Sequence, residues 1–166
     1  MAKPLWVKVL AAIRALIYMT GFVLFWGWQA LSVRRFDLAL GIALPAPLRS
    51  AGVGAMIAGG ALAFTCAAVF AMWGEGTPAP FDPPRQFVAI GPYRYVRNPM
   101  YIGGLGVLAG LGLYLQSASA LLLTVGVALL VHSFVVLVEE RGLDVRFGDS
   151  YRQYKTIVRR WLPRFR

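Results

Sequence analysis

Acidic residues are scarce in this chain: seven Asp and Glu stand against 17 Lys and Arg, giving a formal charge of +10 over 166 residues. Cysteine and histidine occur once each, which excludes a disulfide framework and a Cys/His metal centre, so no metal is expected. Cys66 lies inside an apolar run and reads as a small apolar filler. No sequence repeat is present. The surplus of positive charge would suit nucleic acid if it were gathered on a soluble module, but the basic residues flank apolar runs instead. Nucleic acid is therefore not an expected partner, no obligate protein partner is evident, and anionic lipid headgroups are the partner implied.

What the chain has in excess is apolar residues, 58% of the total, with a mean hydropathy of +0.63. That is too apolar for an ordinary soluble domain and the right length for one compact bundle. The reading is a single integral membrane domain over residues 1–166, an all-α bundle of four transmembrane helices at about 9–31, 51–73, 100–116 and 118–138. The first run follows Lys3 and Lys8 as a signal peptide would, yet it is long, carries Phe22, Phe25, Trp26 and Trp28 near its far end, and lacks a small-residue cleavage site. It reads as a retained span. Residues 32–50, with Pro45 and Pro47, read as a connecting loop. In the second span Ala55, Gly59, Ala63, Ala67 and Ala71 recur every four residues and offer a close-packing stripe to another helix. The third and fourth runs, joined by Gln116, Ser117, Ala118 and Ser119, form a helical hairpin. The tail 139–166 spaces Leu143, Phe147, Tyr151, Tyr154 and Val158 as an interfacial amphipathic helix, broken near Gly148, with Trp161, Leu162 and Phe165 as an anchor.

Counting Lys and Arg sets the orientation. With the N-terminus in the cytosol, fourteen of the 17 fall before Ala15, in 74–98 and in 139–166, and three fall outside. Both termini are then cytosolic, and the start of the third helix and the end of the fourth meet on that face. The first of these ends reads Gly-Pro-Tyr-Arg-Tyr-Val-Arg-Asn-Pro-Met-Tyr-Ile-Gly-Gly over residues 91–104. Asn98 has the character of an N-cap and Pro99 of a first helical residue. Tyr93, Arg94, Arg97 and Tyr101 crowd around them, so that helix N–H groups and two guanidinium groups make an anion-binding corner. The second end carries Glu139, Glu140 and Arg141; adjacent carboxylates at a helix C-terminus oppose the helix dipole and need a compensating contact. Residues 74–84 contain four prolines and must be a shaped, non-helical loop. Cations, carboxylates, aromatic rings and a glycine-containing loop on one face suit a ligand that bears both signs of charge and a ring. S-adenosylmethionine is one such ligand and a nicotinamide dinucleotide another.

The segments GEGTPAPFDPP (74–84), GPYRYVRNPMYIGG (91–104), EERGLDVRFGDSYRQY (139–154) and RRWLP (159–163) resemble the isoprenylcysteine carboxyl methyltransferase and phospholipid methyltransferase superfamily of integral membrane enzymes. The resemblance runs in order over about residues 60–166. It implies S-adenosyl-L-methionine as cofactor and methyl transfer to a lipid or other lipophilic acceptor entering from the bilayer, in a bacterial inner membrane. Residue by residue, it implies cofactor contacts at Gly74, Gly76, Tyr93, Arg94, Arg97, Asn98, Pro99, Tyr101 and Glu140, and catalytic roles for Glu139, Glu140 and Arg141. Asn98 stands where isoprenylcysteine enzymes usually carry His. Tyr151 and Tyr154 read first as apolar-face anchors and second as substrate contacts. His132, seven residues before Glu139 and hence on nearly the same helix face, reads first as an interhelical hydrogen-bonding group and second as a substrate contact.

The expected activity is methyl transfer of the isoprenylcysteine carboxyl methyltransferase type, with a phospholipid amine or small thiol as the alternative acceptor. A sterol-reductase-like enzyme using NADPH is a rival, although the chain has little room for an added dinucleotide domain. A small four-helix transporter is another, disfavoured because no Asp or Glu lies within the four spans.

Overall fold

The structure, a computed structural model, describes residues 5–74 and 87–163. Among the described residues six α-helices carry the fold: α1 (Leu5–Val33), α2 (Asp37–Leu40), α3 (Leu48–Val69), α4 (Pro99–Tyr114), α5 (Ala118–Phe134) and α6 (Glu140–Ile157). No strand forms among the described residues, and one isolated backbone bridge joins Val96 to Arg159. Three helical segments among the described residues are long and apolar enough to cross a membrane, and α4 is a shorter apolar helix. At 16 residues α4 spans about 24 Å.

α3 and α4 form the tightest pair. A Cβ placed on Gly59 would stand 2.5 Å from the Gly103 carbonyl oxygen, and one on Gly110 would stand 2.6 Å from the Gly52 carbonyl oxygen. Backbone meets backbone at both points because neither side supplies a side chain, which maximises van der Waals contact where lipid gives no hydrophobic drive. The small-residue stripe of α3 is thus used at Ala55, Gly59 and Ala63, and Gly52 joins it one turn earlier.

The connecting loop expected at 32–50 is mostly helical. A 3-10 turn at Arg34–Phe36 carries α1 into α2, which closes on Gly41 at a positive φ of 62°. A partner distant in sequence explains the difference: the Asp37 carboxylate accepts from the Ser119 N–H at 2.8 Å, and Ser117 Oγ accepts from the Ala120 N–H at 3.1 Å. Together they satisfy the first N–H groups of α5. Gln116, at φ 52°, turns the chain between α4 and α5 and donates through Nε2 to the Leu44 carbonyl at 2.9 Å.

The fourth apolar run ends at Val138, but the helix does not. α5 passes through a π-helical turn at Val135–Glu139 directly into α6, so helix is continuous from Ala118 to Ile157. Forty residues are about twice what a membrane needs, and the apolar stretch of this segment stops at Val138, before Glu139. The expected break near Gly148 is present as a kink, with φ 52° and ψ −126°. It folds the two halves of α6 toward each other, so that Lys155 Nζ reaches Asp144 Oδ2 at 2.5 Å. A second π-helical turn, Phe70–Gly74, ends α3. Both π turns sit where a span meets the charged end of the bundle.

Candidate cofactor-binding site

Helix α4 starts at Pro99, where the missing proline N–H leaves nothing unpaired, and the Asn98 carbonyl accepts the first intrahelical bond from Ile102 at 3.2 Å. The Asn98 side chain does not cap the helix. Its Nδ2 donates instead to the Arg160 carbonyl at 3.3 Å, because the C-terminal strand of chain lies alongside and offers an unpaired acceptor. Next to it the Arg97 N–H donates to the Arg159 carbonyl at 2.9 Å. The loop 91–98 is thereby held between the start of α4 and residues 158–161.

The two ends of the α4–α5 hairpin meet. Tyr101, in the first turn of α4, donates its hydroxyl to Glu139 Oε2 at 2.8 Å. Glu140 turns the other way: Arg160 Nε and Nη2 donate to its two carboxylate oxygens at 2.8 and 2.9 Å, and Arg97 Nη1 lies 3.1 Å from Oε1. These are the compensating contacts that paired acids at a helix end require. They also set the two carboxyl groups apart chemically. Burial raises the affinity of Glu139 for a proton, the Tyr101 hydrogen bond opposes it, and the charge of Glu140 adds to it, with a net shift above the ordinary carboxylate value. Burial acts the same way on Glu140, but there the Arg160 hydrogen bonds and the charges of Arg97 and Arg160 outweigh it and hold the carboxyl below its ordinary value. The two neighbouring carboxyl groups are thus shifted in opposite directions.

Beside the two acids opens a cavity of about 350 Å³. Arg97, Asn98, Glu139, Glu140 and Arg146 supply its polar lining, and Phe134 and Val138 extend it along the apolar end of α5. The remaining wall is aromatic. Phe87 packs edge-on against Tyr154 with ring centres 5.1 Å apart, tilts against Phe147 at 5.5 Å, and faces Tyr151 at 6.0 Å. Phe70 meets Tyr93 edge-on at 5.2 Å, and the Tyr154 hydroxyl donates to the Tyr93 carbonyl at 2.5 Å. Tyr151 is 2% exposed, and its hydroxyl is pushed up to about 12, first by burial and then by the charge of Glu140. Below this wall Cys66, Val69, Phe70, Val88 and Tyr93 form a buried core.

Of the residues singled out in the sequence, Tyr93, Arg97, Asn98, Glu139, Glu140, Tyr151 and Tyr154 line the cavity. Tyr101 reaches it through Glu139, and Pro99 is buried behind it. The others lie elsewhere. Arg94 and Arg141 are exposed and outside the lining. Gly74 ends the π turn after α3, and Gly76, with the rest of the proline-rich segment 75–86, is outside the described residues. His132 is also outside the lining; its Nδ1 accepts from Trp161 Nε1 at 3.0 Å. The seven-residue spacing that put it near Glu139 assumed an unbroken α-helix. The i→i+5 turn at 135–139 uses more residues per turn and rotates everything after it about the axis.

Three lining features escaped the sequence reading. Phe87 falls in no motif, and Arg146 lies within the segment 139–154 without an expected role. Leu143 and Phe147 have only the spacing of an interfacial face, yet they line the cavity on the near side of the Gly148 kink, beside the expected Tyr151 and Tyr154. No group of three or more His, Cys, Asp and Glu able to hold a metal forms among the described residues.

Two half-buried acids, a guanidinium-bearing side chain that is 12% exposed and aromatic walls thus come together at the charged end of an apolar bundle. The profile of the family described as phospholipid methyltransferase matches residues 48–150, well over half of the chain. The chain belongs to the phospholipid methyltransferase family. The matched region of this membrane methyltransferase starts with α3 and ends one residue before Tyr151, so it holds Arg97, Asn98, Glu139, Glu140 and Arg146. An uncharacterized protein of Haemophilus influenzae is 40% identical over 63 residues, which is 38% of this chain and the whole of that relative. No solved structure matches the chain.

Proposed function

We propose that this methyltransferase uses S-adenosyl-L-methionine and transfers its methyl group to a lipophilic acceptor at the cytosolic face of a bacterial inner membrane. The observation that carries this reading is the state of Arg97 within the cavity wall. Its side chain is 12% exposed, and its Nε and Nη1 have no aligned hydrogen-bond acceptor among the described residues, although Nη1 feels the charge of Glu140. A buried guanidinium with donors to spare suits a ligand carboxylate. The other parts of the proposed cofactor have matching groups: Glu139 and Glu140 for an ammonium or ribose hydroxyls, and the ring cluster around Phe87 for adenine.

When bound, the cofactor supplies an electrophilic methyl group on a sulfonium. The chain's own residues do the rest. Arg97 and the ion-paired Glu140 fix the polar end, the aromatic wall excludes water, and Phe134 with Val138 gives an acyl or prenyl chain an apolar approach along α5. Alignment of this kind supplies roughly 7–11 kcal/mol of a barrier. An amine or thiol acceptor must also lose a proton. Glu139, whose carboxyl is raised by burial, is the group placed to take it.

Calorimetry of the purified full-length protein in detergent with S-adenosylhomocysteine, and separately with NADPH, tests the proposal. Saturable binding of S-adenosylhomocysteine alone is the expected result. Binding of NADPH alone would replace the methyl donor with a hydride donor and overturn it.

A further inference from the structure

Residues 158–161 lie beyond the stretch that the family profile matches, and outside the lining of the cavity, yet they are tied to the site from three elements. The 91–98 loop binds them through Arg97 N–H to the Arg159 carbonyl and Asn98 Nδ2 to the Arg160 carbonyl. The start of α6 binds them through the two bonds from Arg160 to Glu140. α5 binds them through His132 Nδ1, which accepts from Trp161. Val158, at the head of this stretch, is buried.

The contact that matters chemically is Arg160 on Glu140. Two cations compete for one carboxylate, and the geometry awards it to Arg160, whose fork matches both oxygens at 2.8 and 2.9 Å. Arg97 is left at 3.1 Å from one of those oxygens, without hydrogen-bond alignment at Nη1 or Nε. We infer that Arg160 is a positioning residue of the cofactor site: by gripping Glu140 from behind, it keeps the Arg97 guanidinium available to an anionic group of the ligand. Arg97 already holds one oxygen of Glu140 by charge at 3.1 Å; without Arg160, both oxygens are free to turn onto Arg97, and the donors left over for the ligand are taken up. The C-terminal strap is thus a working part of the site. The inference rests on the proposal that the cavity binds S-adenosylmethionine.

The test is S-adenosylhomocysteine binding to the full-length protein by calorimetry, in wild type, Arg160→Met, Arg160→Lys and the double variant Arg160→Met/Glu140→Leu, with Glu140→Leu alone as the reference. Methionine keeps the aliphatic stem and removes the charge. Arg160→Met is expected to weaken binding about tenfold or more, since hydrogen bonds to charged groups carry that much. Arg160→Lys is expected to recover part of the loss, because an ammonium keeps the charge but not the two-pronged grip. In the Glu140→Leu background, Arg160→Met is expected to change affinity less than twofold, because Arg160 acts only through Glu140. Wild-type affinity in Arg160→Met, absence of rescue by lysine, or an unreduced effect in the Glu140→Leu background would each overturn the role. Melting temperatures recorded on every variant separate this from unfolding, and if Arg160→Met does not fold, the lysine variant and the Glu140→Leu pair with Arg160→Lys carry the same comparison. No binding by the wild-type protein overturns the cofactor assignment and the inference together, whereas normal wild-type binding with indifferent Arg160 variants overturns only the inference.

Discussion

Replacing Gly59 by alanine adds one methyl group to the tightest point of the bundle, and the structure sets the size of the effect. The new Cβ would stand 2.5 Å from the Gly103 carbonyl oxygen and 2.9 Å from the Val107 nitrogen, whereas ordinary contact begins at 3.4 Å, so α3 and α4 must separate by about 0.9 Å. Both obstructing atoms are backbone, and no side chain can swing aside. Overpacking of this kind costs about 1–3 kcal/mol, and in a chain of this length each kcal/mol shifts the melting temperature by roughly 2–4 °C. The expected fall is therefore about 2–12 °C. Cys66 provides the assay: it is the only cysteine and is 0% exposed, so a thiol-reactive dye reports unfolding directly during a temperature ramp in detergent. Gly54→Ala and Gly60→Ala, on the same helix, meet nothing within 4 Å and are expected to match wild type or exceed it slightly. Equal melting temperatures for Gly59→Ala and Gly54→Ala would refute the close α3–α4 contact and the placement of α4 that depends on it.

Tyr101→Phe removes the one hydrogen bond that lowers the proton affinity of Glu139, and the carboxyl is expected to become still harder to ionise; the pH at which methyl transfer reaches half its maximum should move upward, while an unmoved profile would dissociate Glu139 from the reaction. Acid sensitivity should trace to Glu140. Its folded-state value lies below the ordinary 4.5, so its contribution to stability is complete above 4.5 and is lost as the pH falls through the lowered value. Glu140→Gln is expected to flatten the acid limb of the melting-temperature profile, and an identical limb in wild type and variant would contradict the ion pairs to Arg97 and Arg160.

Much of the architecture could be read from residue types alone, because the membrane forces apolar segments into helices and glycine marks close approach. Pro99 fixes the start of α4, Gly148 breaks α6, and the Asn-Pro and Glu-Glu ends of one hairpin meet through Tyr101 and Glu139. What stayed hidden depends on partners distant in sequence. Asp37 looked like loop until Ser119, 82 residues away, supplied a hydrogen bond to it. Asn98 reads as a helix cap from its neighbours and is diverted by the Arg160 carbonyl. The π turns have no residue signature, and the one at 135–139 separates His132 from the face that carries Glu139. The tail aromatics have the spacing of a membrane-surface helix, yet Phe147 before the kink at Gly148 and Tyr154 after it both meet Phe87 at the cavity.

The most direct measurement is transfer itself. Purified protein reconstituted with a bacterial lipid extract and supplied with methyl-labelled S-adenosylmethionine should place label in the organic phase, and Glu139→Gln combined with Arg97→Met should abolish it while leaving the melting temperature within a few degrees. Organic-phase label that stays at background in the wild type, or persists at the wild-type rate in the double variant, would contradict the assignment of the cavity between Arg97 and Glu139 as the place where the methyl group is handed to a lipid.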